Sequence, residues 1–244
     1  MTIENATVNA DEPGGANIHS NGNIDLIDKK VLVDGNASAV GTITGETITG
    51  MITCPSPPIQ FPGDYSELYK AMAQEVGTYN GDLTLSGGTL ENPIIFPGPD
   101  HEYAYIDGDL TIWTGSFVRL TSTIYITGSL TMKPGSLLEG RENILAEQNI
   151  EIGGGAYVSD LVPVIICKNG DIACKSGGPG SDIINAVVYA PNGNVEITVG
   201  AILYGAVGGK TVLIKNAVIT YAAELHGRQD LPGGELATIS YSYK

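Results

Sequence analysis

A short pattern of apolar and polar positions recurs along most of the chain. A small or polar pair, often Gly-Asp or Gly-Asn, is followed by an aliphatic residue, any residue and a second aliphatic residue. From Gly108 onward the copies start 20, 20, 22 and 23 residues apart, and the last step, from Val195 to Val212, is 17. The copies are Gly22-Asn-Ile-Asp-Leu26, Gly81-Asp-Leu-Thr-Leu85, Gly108-Asp-Leu-Thr-Ile112, Gly128-Ser-Leu-Thr-Met132, Gln148-Asn-Ile-Glu-Ile152, Gly170-Asp-Ile-Ala-Cys174, Gly193-Asn-Val-Glu-Ile197 and the looser Lys210-Thr-Val-Leu-Ile214.

This repeat predicts an all-β protein built as a parallel β-helix, with two or three short strands in each coil. A period near 20 is too short for a propeller blade or a helical repeat, and the spacing disfavours a meander of antiparallel hairpins. The general preference for right-handed parallel crossovers predicts a right-handed helix. In the coil from Gly108, Thr111, Arg119 and Tyr125 alternate outward, and the residues predicted to point inward are Leu110, Ile112, Val118, Leu120, Ile124 and Ile126.

One segment has the pattern of a helix instead. Residues 55–63 form a Pro-rich connector, and residues 64–77 follow as an amphipathic helix. Asp64 is a good N-cap, Glu67 suits the capping-box position, and Gly77 ends the helix. An isolated helix of this length is marginal in water, so it is expected to cover a side or an exposed end of the β-helix; docking of a partner is the alternative. Its predicted apolar face consists of Tyr65, Leu68, Tyr69, Met72 and Val76.

Four regions follow from these patterns. Residues 1–54 contain less regular β-like pieces, either first coils or a surface extension. Residues 55–79 hold the connector and the capping helix, residues 80–225 the β-helix body, and residues 226–244 a tail or cap. Glycine, with 33 of 244 residues, is explained by the corners between strands, which turn sharply and often through positive φ.

The net charge of −15 (Lys+Arg 12, Asp+Glu 27) excludes a basic nucleic-acid binder. Residues 1–100 carry −10 of it and residues 101–244 carry −5. A hydrophobic fraction of 42% excludes a disordered acidic chain. The sequence has no 18-residue apolar run that would span a membrane, and the first residues do not read as a signal peptide. Either the protein is cytoplasmic, or it is the ectodomain of a longer anchored precursor at the cell surface; we prefer the second.

The candidates for metal or redox chemistry are few. An odd cysteine count argues against a disulfide framework, and the bridge that the spacing allows most simply joins Cys167 and Cys174. We expect no metal site, because the histidines are isolated and no Cys/His cluster has zinc spacing. We also expect no cofactor, with calcium as the one exception to consider, at Asp107 and Asp109.

Asp107 and Asp109 are also the best candidates for an acid pair of a polysaccharide-cleaving β-helix enzyme, with Glu102 nearby and Arg119 or Arg141 as basic partners. The position that Asp109 occupies argues for another role. In successive copies it reads Asp82, Asp109, Ser129, Asn149, Asp171 and Asn194. A ladder of corner residues explains this series better than a catalytic pair, and we expect no enzymatic activity.

Aromatic residues cluster over two consecutive coils. If Tyr105 and Tyr125 both point outward, they stack about 4.8 Å apart on one face. Such a stripe could bind a glycan or a protein, or it could pack beneath the helix of residues 64–77. The candidate binding residues are Tyr103, Tyr105, Trp113 and Tyr125.

The run Val188-Tyr-Ala-Pro-Asn-Gly-Asn-Val-Glu-Ile197, followed by Ala201-Ile-Leu-Tyr-Gly-Ala-Val-Gly-Gly-Lys210, resembles a family of uncharacterised bacterial β-helix domains. Those domains often follow a PilX-type, pilin-like N-terminus in proteins of type IV pilus assembly. The resemblance covers roughly residues 80–225. The chain departs from it at Val218–Glu224, which lacks the usual His-Tyr-Asp, and it lacks the pilin-like apolar helix, which the resemblance implies was removed. No catalytic residues are known for the family.

The sequence thus favours a non-enzymatic, pilus-associated or adhesin-like module at the cell surface. Its partner would be a protein, such as pilus subunits, or a glycan, and neither nucleic acid nor a membrane span is expected. A bactofilin-like filament subunit is a second hypothesis and requires both ends of the rod to be open. A polysaccharide lyase or hydrolase is the third.

Overall fold

The computed structural model describes residues 1–12, 15–45, 47–59, 66–153, 162–175, 183–225 and 240–242. Within these ranges the protein is a β-solenoid of about 10 turns with a single short helix. The pairings between its named strands are parallel. The predicted parallel β-helix is therefore confirmed. No helix in these ranges is long and apolar enough to cross a bilayer.

The elements are short and evenly spaced, apart from two long strands. A 3-10 turn spans Ala223–Leu225, and helix α1 spans Ser66–Val76. In chain order the strands are β1 (Thr2–Glu4), β2 (Thr7–Ala10), β3 (Ile18–Ser20), β4 (Ile24–Ile27), β5 (Leu32–Val33), β6 (Ala37–Ala39), β7 (Ile43–Thr44), β8 (Ile52–Thr53), β9 (Thr78–Asn80), β10 (Leu83–Leu85), β11 (Ile94–Phe96), β12 (Tyr105–Asp107), β13 (Leu110–Ile112), β14 (Phe117–Leu120), β15 (Ile124–Ile126), β16 (Leu130–Met132), β17 (Leu137–Glu139), β18 (Asn143–Ala146), β19 (Ile150–Ile152), β20 (Val164–Cys167), β21 (Ile172–Lys175), β22 (Ile183–Thr198), β23 (Ile202–Lys215), β24 (Val218–Tyr221) and β25 (Ser240–Ser242).

Each coil passes through three faces, which we name A, B and C. Face A contains β9, β12, β15, β18 and β20, the middle of β22 and β23, and then β25. Face B contains β10, β13, β16, β19, β21, the ends of β22 and β23, and then β1, β4 and β7. Face C contains β11, β14 and β17 near one end, and the starts of β22 and β23 with β24, β2 and β5 toward the other.

The repeated motif found in the sequence forms face B. Its first aliphatic residues pair directly across coils, in the series Leu83, Leu110, Leu130, Ile150, Ile172, Val195 and Val212. These side chains and those two positions later are buried in one continuous core. The strands form because alternate residues are aliphatic, and stacking in register buries each aliphatic position against its copy in the next coil.

The first residues of the chain do not precede the body of the solenoid in space. Ile3 pairs with Ile214 on one side and with Leu26 on the other, so β1 to β8 extend the end formed by β23 and β24. Strand β25 pairs with β23 and contacts β3, which places it on face A of the junction. The sequence order of the coils is therefore not their order along the rod. The unpaired strand edges that would otherwise end the body there are covered by the N-terminal coils.

After β8 the chain returns along one side of the rod. The amide of Ser56 donates to the carbonyl of Ala39 at 2.8 Å, and the amide of Ile59 donates to Asn21 Oδ1 at 2.9 Å. Helix α1 then lies against β12 and β15. The helix therefore covers a side of the solenoid, on face A. The prediction of a helix is confirmed over residues 66–76, whereas Asp64 and Tyr65 lie outside the described residues.

The buried face of α1 differs from the predicted one. Of the predicted apolar residues, Tyr69 is partly buried and packs against the core as expected, whereas Leu68, Met72 and Val76 are exposed. The fully buried residues of the helix are Ser66 and Ala73. Small side chains face the solenoid because face A already carries large tyrosine rings at this height. A close approach of the helix backbone therefore needs residues that add little volume.

Candidate functional site

The predicted aromatic stripe is divided by the structure. Tyr105 and Tyr125 stack in neighbouring coils, with ring centroids 5.6 Å apart and an angle of 11° between the planes. They are only 9% and 0% exposed because α1 covers them. Lys70 of the helix holds its Nζ 5.8 Å and 5.7 Å from the two ring centroids, a cation–π arrangement. The sequence left open whether this pair binds a partner or packs beneath the helix, and in the structure it packs beneath the helix.

Tyr125 is also held by a hydrogen bond. Its hydroxyl donates to Glu147 Oε1 at 2.6 Å. Burial, together with this hydrogen bond and the charge of Glu147, raises the pKa of Tyr125 far above its usual range. The phenol is therefore neutral at physiological pH and acts as a fixed donor within the helix interface.

Tyr103 closes one end of the rod. Its ring lies 4.9 Å from that of Tyr79 and 5.8 Å from that of Phe96, and its hydroxyl is 3.0 Å from His101 Nδ1. Tyr79 and Phe96 belong to the terminal coil, and Phe96 is fully buried although none of the described strands stacks on the outer side of β11. Burial and the nearby Tyr79 raise the pKa of Tyr103. These rings cover the apolar interior at this end of the solenoid.

Trp113 is the one predicted aromatic residue with a largely accessible ring, at 53% exposure. It follows β13 at the corner between faces B and C, where its amide donates to the carbonyl of Leu85 at 2.8 Å. Lys133 occupies the same position one coil further, since β13 and β16 pair in register. Neither side chain has a polar or ring partner within the described residues. On face B beside them lie Thr111 and Thr131, which are paired across the coils.

Asp109 and its copies form the predicted corner ladder. Asp109 Oδ1 accepts a hydrogen bond from the amide of Ser129 at 2.7 Å, and the Asp109 amide donates to Asp82 Oδ1 at 2.9 Å. The same bond joins the amide of Asp171 to Asn149 Oδ1 at 3.0 Å, and the amide of Asn194 to Asp171 Oδ1 at 2.7 Å. The ladder therefore supplies partners to backbone donors at corners where strand pairing is interrupted.

The rest of the proposed carboxylate group has other partners. Asp107 Oδ1 accepts a hydrogen bond from the hydroxyl of Thr127 at 3.0 Å. Arg119 forms an ion pair with Glu139 on the neighbouring coil of face C. In the part of the chain that the structure describes, no three His, Cys, Asp or Glu side chains are placed to hold a metal ion.

Close stacking requires the glycines that precede four of the ladder residues, Asp109, Ser129, Asp171 and Asn194. Asn149 instead follows Gln148, and Gly81, before Asp82, has a φ of 106° and nothing within 4 Å of an added Cβ. A Cβ atom at Gly128 would lie 2.1 Å from Asp109 Oδ1 and 2.7 Å from the carbonyl oxygen of Gly108. At Gly193 it would lie 1.9 Å from the carbonyl oxygen of Gly170. Positive φ, the reason expected from the sequence, does not apply at these two positions. The Gly-Asp and Gly-Asn pairs combine a residue without a side chain with a residue that bonds the next coil.

Cys167 and Cys174 are both buried free thiols, so the bridge considered from the sequence is not formed. They lie on successive strands, β20 and β21, which belong to different faces. Cys167 donates a hydrogen bond from its thiol to the carbonyl of Gln148 at 2.6 Å. Burial raises the pKa of Cys167 to about 11 and that of Cys174 to about 12, so neither is a ready nucleophile.

A hollow of about 410 Å³ opens on face B where the N-terminal coils join the body. Two polar residues of its lining already have partners: Asp25 Oδ1 accepts from the hydroxyl of Thr44 at 3.0 Å, and Asn194 Nδ2 donates to Asp171 Oδ1 at 3.1 Å. The sequence did not indicate this junction. Lys70 and Lys133 were also missed. For Lys133 a signal was present, because it aligns with Trp113 when the motif copies are written one below the other.

Residues 77–228 match the model of a family described as a domain of unknown function, DUF7305. This range agrees with the one in which the sequence resembles uncharacterised β-helix domains. No curated protein and no solved structure matches the chain.

Proposed function

The chain belongs to the DUF7305 family, whose function is unknown, and we propose that it is a non-enzymatic structural module of the cell surface. In this proposal the stiff solenoid presents an exposed side to a glycan or a protein partner. The observation that supports it best is the pair Trp113 and Lys133. A half-exposed indole and an ammonium without a partner among the described residues stand at matching positions of two neighbouring coils.

The chemistry of this pair suits a carbohydrate or a polar protein surface. An indole face stacks on apolar faces of sugars or on side chains, and tryptophan is enriched among residues that dominate binding interfaces. The ammonium of Lys133 and the hydroxyls of Thr111 and Thr131 supply donors at the coil spacing of about 4.8 Å. A repeating ligand would meet a repeating set of donors along face B.

Association with type IV pili is the finer part of the proposal. It rests on the resemblance of Val188–Lys210 to domains that accompany pilin-like proteins, and a rod anchored at one point would carry the Trp113 side away from the surface. The extracellular location is proposed on the same ground.

An enzymatic role is not proposed, because the best acid candidate has a structural task. The carboxylate of Asp109 accepts the amide of Ser129, and Asn149 does the same work two coils further along with a side chain that carries no charge. We therefore expect Asp109→Asn to keep both the fold and the binding. Turnover of a polysaccharide by the wild type that Asp109→Asn abolishes would reverse this conclusion.

Binding of the purified chain to a glycan array and to isolated type IV pili tests the proposal. We expect retention on at least one of these surfaces and a loss of at least tenfold with Trp113→Ala. Leu90→Ala is the matched control, since Leu90 has the same 53% exposure but lies in another coil. Equal binding by wild type and Trp113→Ala, or no binding to either surface, would contradict the proposal.

A further inference from the structure

The two ends of the rod differ in how their interiors are covered. At the end that begins with β9, Leu85 and Phe96 are buried, and the ring of Phe96 lies against those of Tyr103 and His101, with centroids 5.8 Å and 5.7 Å away. At the other end, which we call the β8 end and define as residues 35–53, Ile52 aligns with the fully buried Ala37 but is 52% exposed. Met51 beside it is 72% exposed. The column of core side chains is thus closed at one end and open at the other.

The β8 end also has free strand edges. Within the described residues, β7 pairs only with β4 and β8 pairs only with β6. The amide of Ala37 donates to the carbonyl of Met51. In a parallel ladder the backbone amide and carbonyl of Met51 therefore point toward β6, and those of Ile52 point away from the rod. Unpaired edge groups next to exposed apolar side chains form a template for another strand.

Charge distinguishes the two ends as well. In a protein of net charge −15, residues 35–53 contain a single charged residue, Glu46. Between Tyr79 and Tyr103 the opposite coil has no Lys or Arg and carries four acidic residues, Asp82, Glu91, Asp100 and Glu102. Natural edge strands are usually protected by charges or prolines, and residues 35–53 contain no proline and no charge besides Glu46. A surface that is apolar, sparsely charged and bounded by free strand edges on an acidic protein is suited to burial against an equally sparsely charged surface.

We propose that the β8 end is the contact surface for a second copy of this chain, joined end to end by a two-fold axis. The same surface on both copies then meets itself, which closes the assembly at a dimer. A two-fold axis perpendicular to the rod and to the paired face reverses the strand direction. The edge strands of the two copies therefore meet antiparallel, which is an ordinary form of sheet pairing. The contact brings the sparsely charged coils together and leaves the acidic, aromatic-covered ends outermost.

This geometry disfavours the open filament considered from the sequence. A filament of head-to-tail copies needs a second open end, whereas the rings around Tyr103 already cover the interior there. The dimer goes beyond the proposed function, because the exposed side around Trp113 can bind a partner whether the protein is a monomer or a dimer.

Sedimentation velocity of the full chain over a hundredfold range of concentration tests the dimer. We expect a monomer–dimer equilibrium, at least tenfold weaker in Ile52→Lys, since the variant places an ammonium at the contact. The matched control is Leu90→Lys, which changes an equally exposed leucine at the covered end and is expected to dimerise like the wild type. Thermal melting of both variants shows that they are folded.

Cys54 provides an independent measurement, because it is exposed directly after β8, while Cys167 and Cys174 are buried. A bis-maleimide should join two wild-type chains through Cys54 and fail with Ile52→Lys or Cys54→Ser. A wild type that stays monomeric throughout, species that grow beyond a dimer, or cross-linking that Ile52→Lys leaves unchanged would each overturn the proposal.

Discussion

The ring of Tyr105 lies flat on that of Tyr125, 5.6 Å between centroids, and the two are covered by a helix whose fully buried residues, Ser66 and Ala73, are small. This relationship explains why α1 turns Ala73 rather than Met72 toward the solenoid. The large tyrosine rings fill the interface, and the small side chain of Ala73 leaves room for them. It also removes these two residues from the accessible surface.

Enlarging Ala73 should therefore detach the helix. Ala73→Leu adds volume to a fully buried site, and we expect a loss of about 1–3 kcal/mol in the free energy of unfolding. Met72→Leu on the exposed side is the control and should change stability by less than about 0.5 kcal/mol. Urea unfolding measures both. A larger effect at Met72 than at Ala73 would mean that the helix is rotated as the sequence pattern predicts.

Tyr125 should make stability fall at high pH. Its pKa is raised in the folded protein, so its stabilising contribution is complete below the unfolded pKa of 10.0 and is lost as the pH rises toward the folded value. Between pH 10 and 11.5 the wild type should lose up to about 1.4 kcal/mol per pH unit more than Tyr125→Phe, which has no proton to lose. Denaturant unfolding at several pH values gives the difference. Parallel curves for the two proteins would exclude a buried neutral phenol here.

Gly128 should tolerate no side chain. Gly128→Ala places a Cβ 2.1 Å from Asp109 Oδ1, and we expect a loss of about 2–3 kcal/mol from the displaced corner. Gly115→Ala serves as the comparison, because it has a φ of 71° but nothing within 4 Å of the added Cβ. That variant should cost only about 1 kcal/mol of backbone strain. If the two substitutions cost the same, close stacking is not the reason for glycine at the corners.

The cysteines should behave as one accessible and two protected thiols. A thiol reagent at pH 8 is expected to modify Cys54 alone in the folded protein and all three cysteines in denaturant. The raised pKa values of Cys167 and Cys174 add to their burial in slowing the reaction. A reducing agent should leave the melting temperature unchanged. Recovery of a single reactive thiol in denaturant without reductant would show that Cys167 and Cys174 are bridged.

The sequence by itself determined the solenoid and its main register. Alternating aliphatic positions and a spacing near 20 are local and periodic, so they read directly as stacked strands, from Leu110 through Leu130 to Val212. The corner ladder at Asp109 was also predictable, because each copy stands at the same place in its motif. The helix was predictable in extent because its start signal, its apolar spacing and its terminal glycine all lie within residues 64–77.

Only the tertiary structure decided which faces are covered and where the coils lie. All coils have the same three faces, so the sequence pattern alone does not show which coil stacks on which. Nothing in it indicates that Ile3 pairs with Ile214. The helix pattern marks Leu68 and Met72 as apolar, but the rings of Tyr105 and Tyr125 decide the fit. The exposure of Ile52 depends on whether another coil follows it in space, a property of the assembled rod that no local stretch of sequence contains.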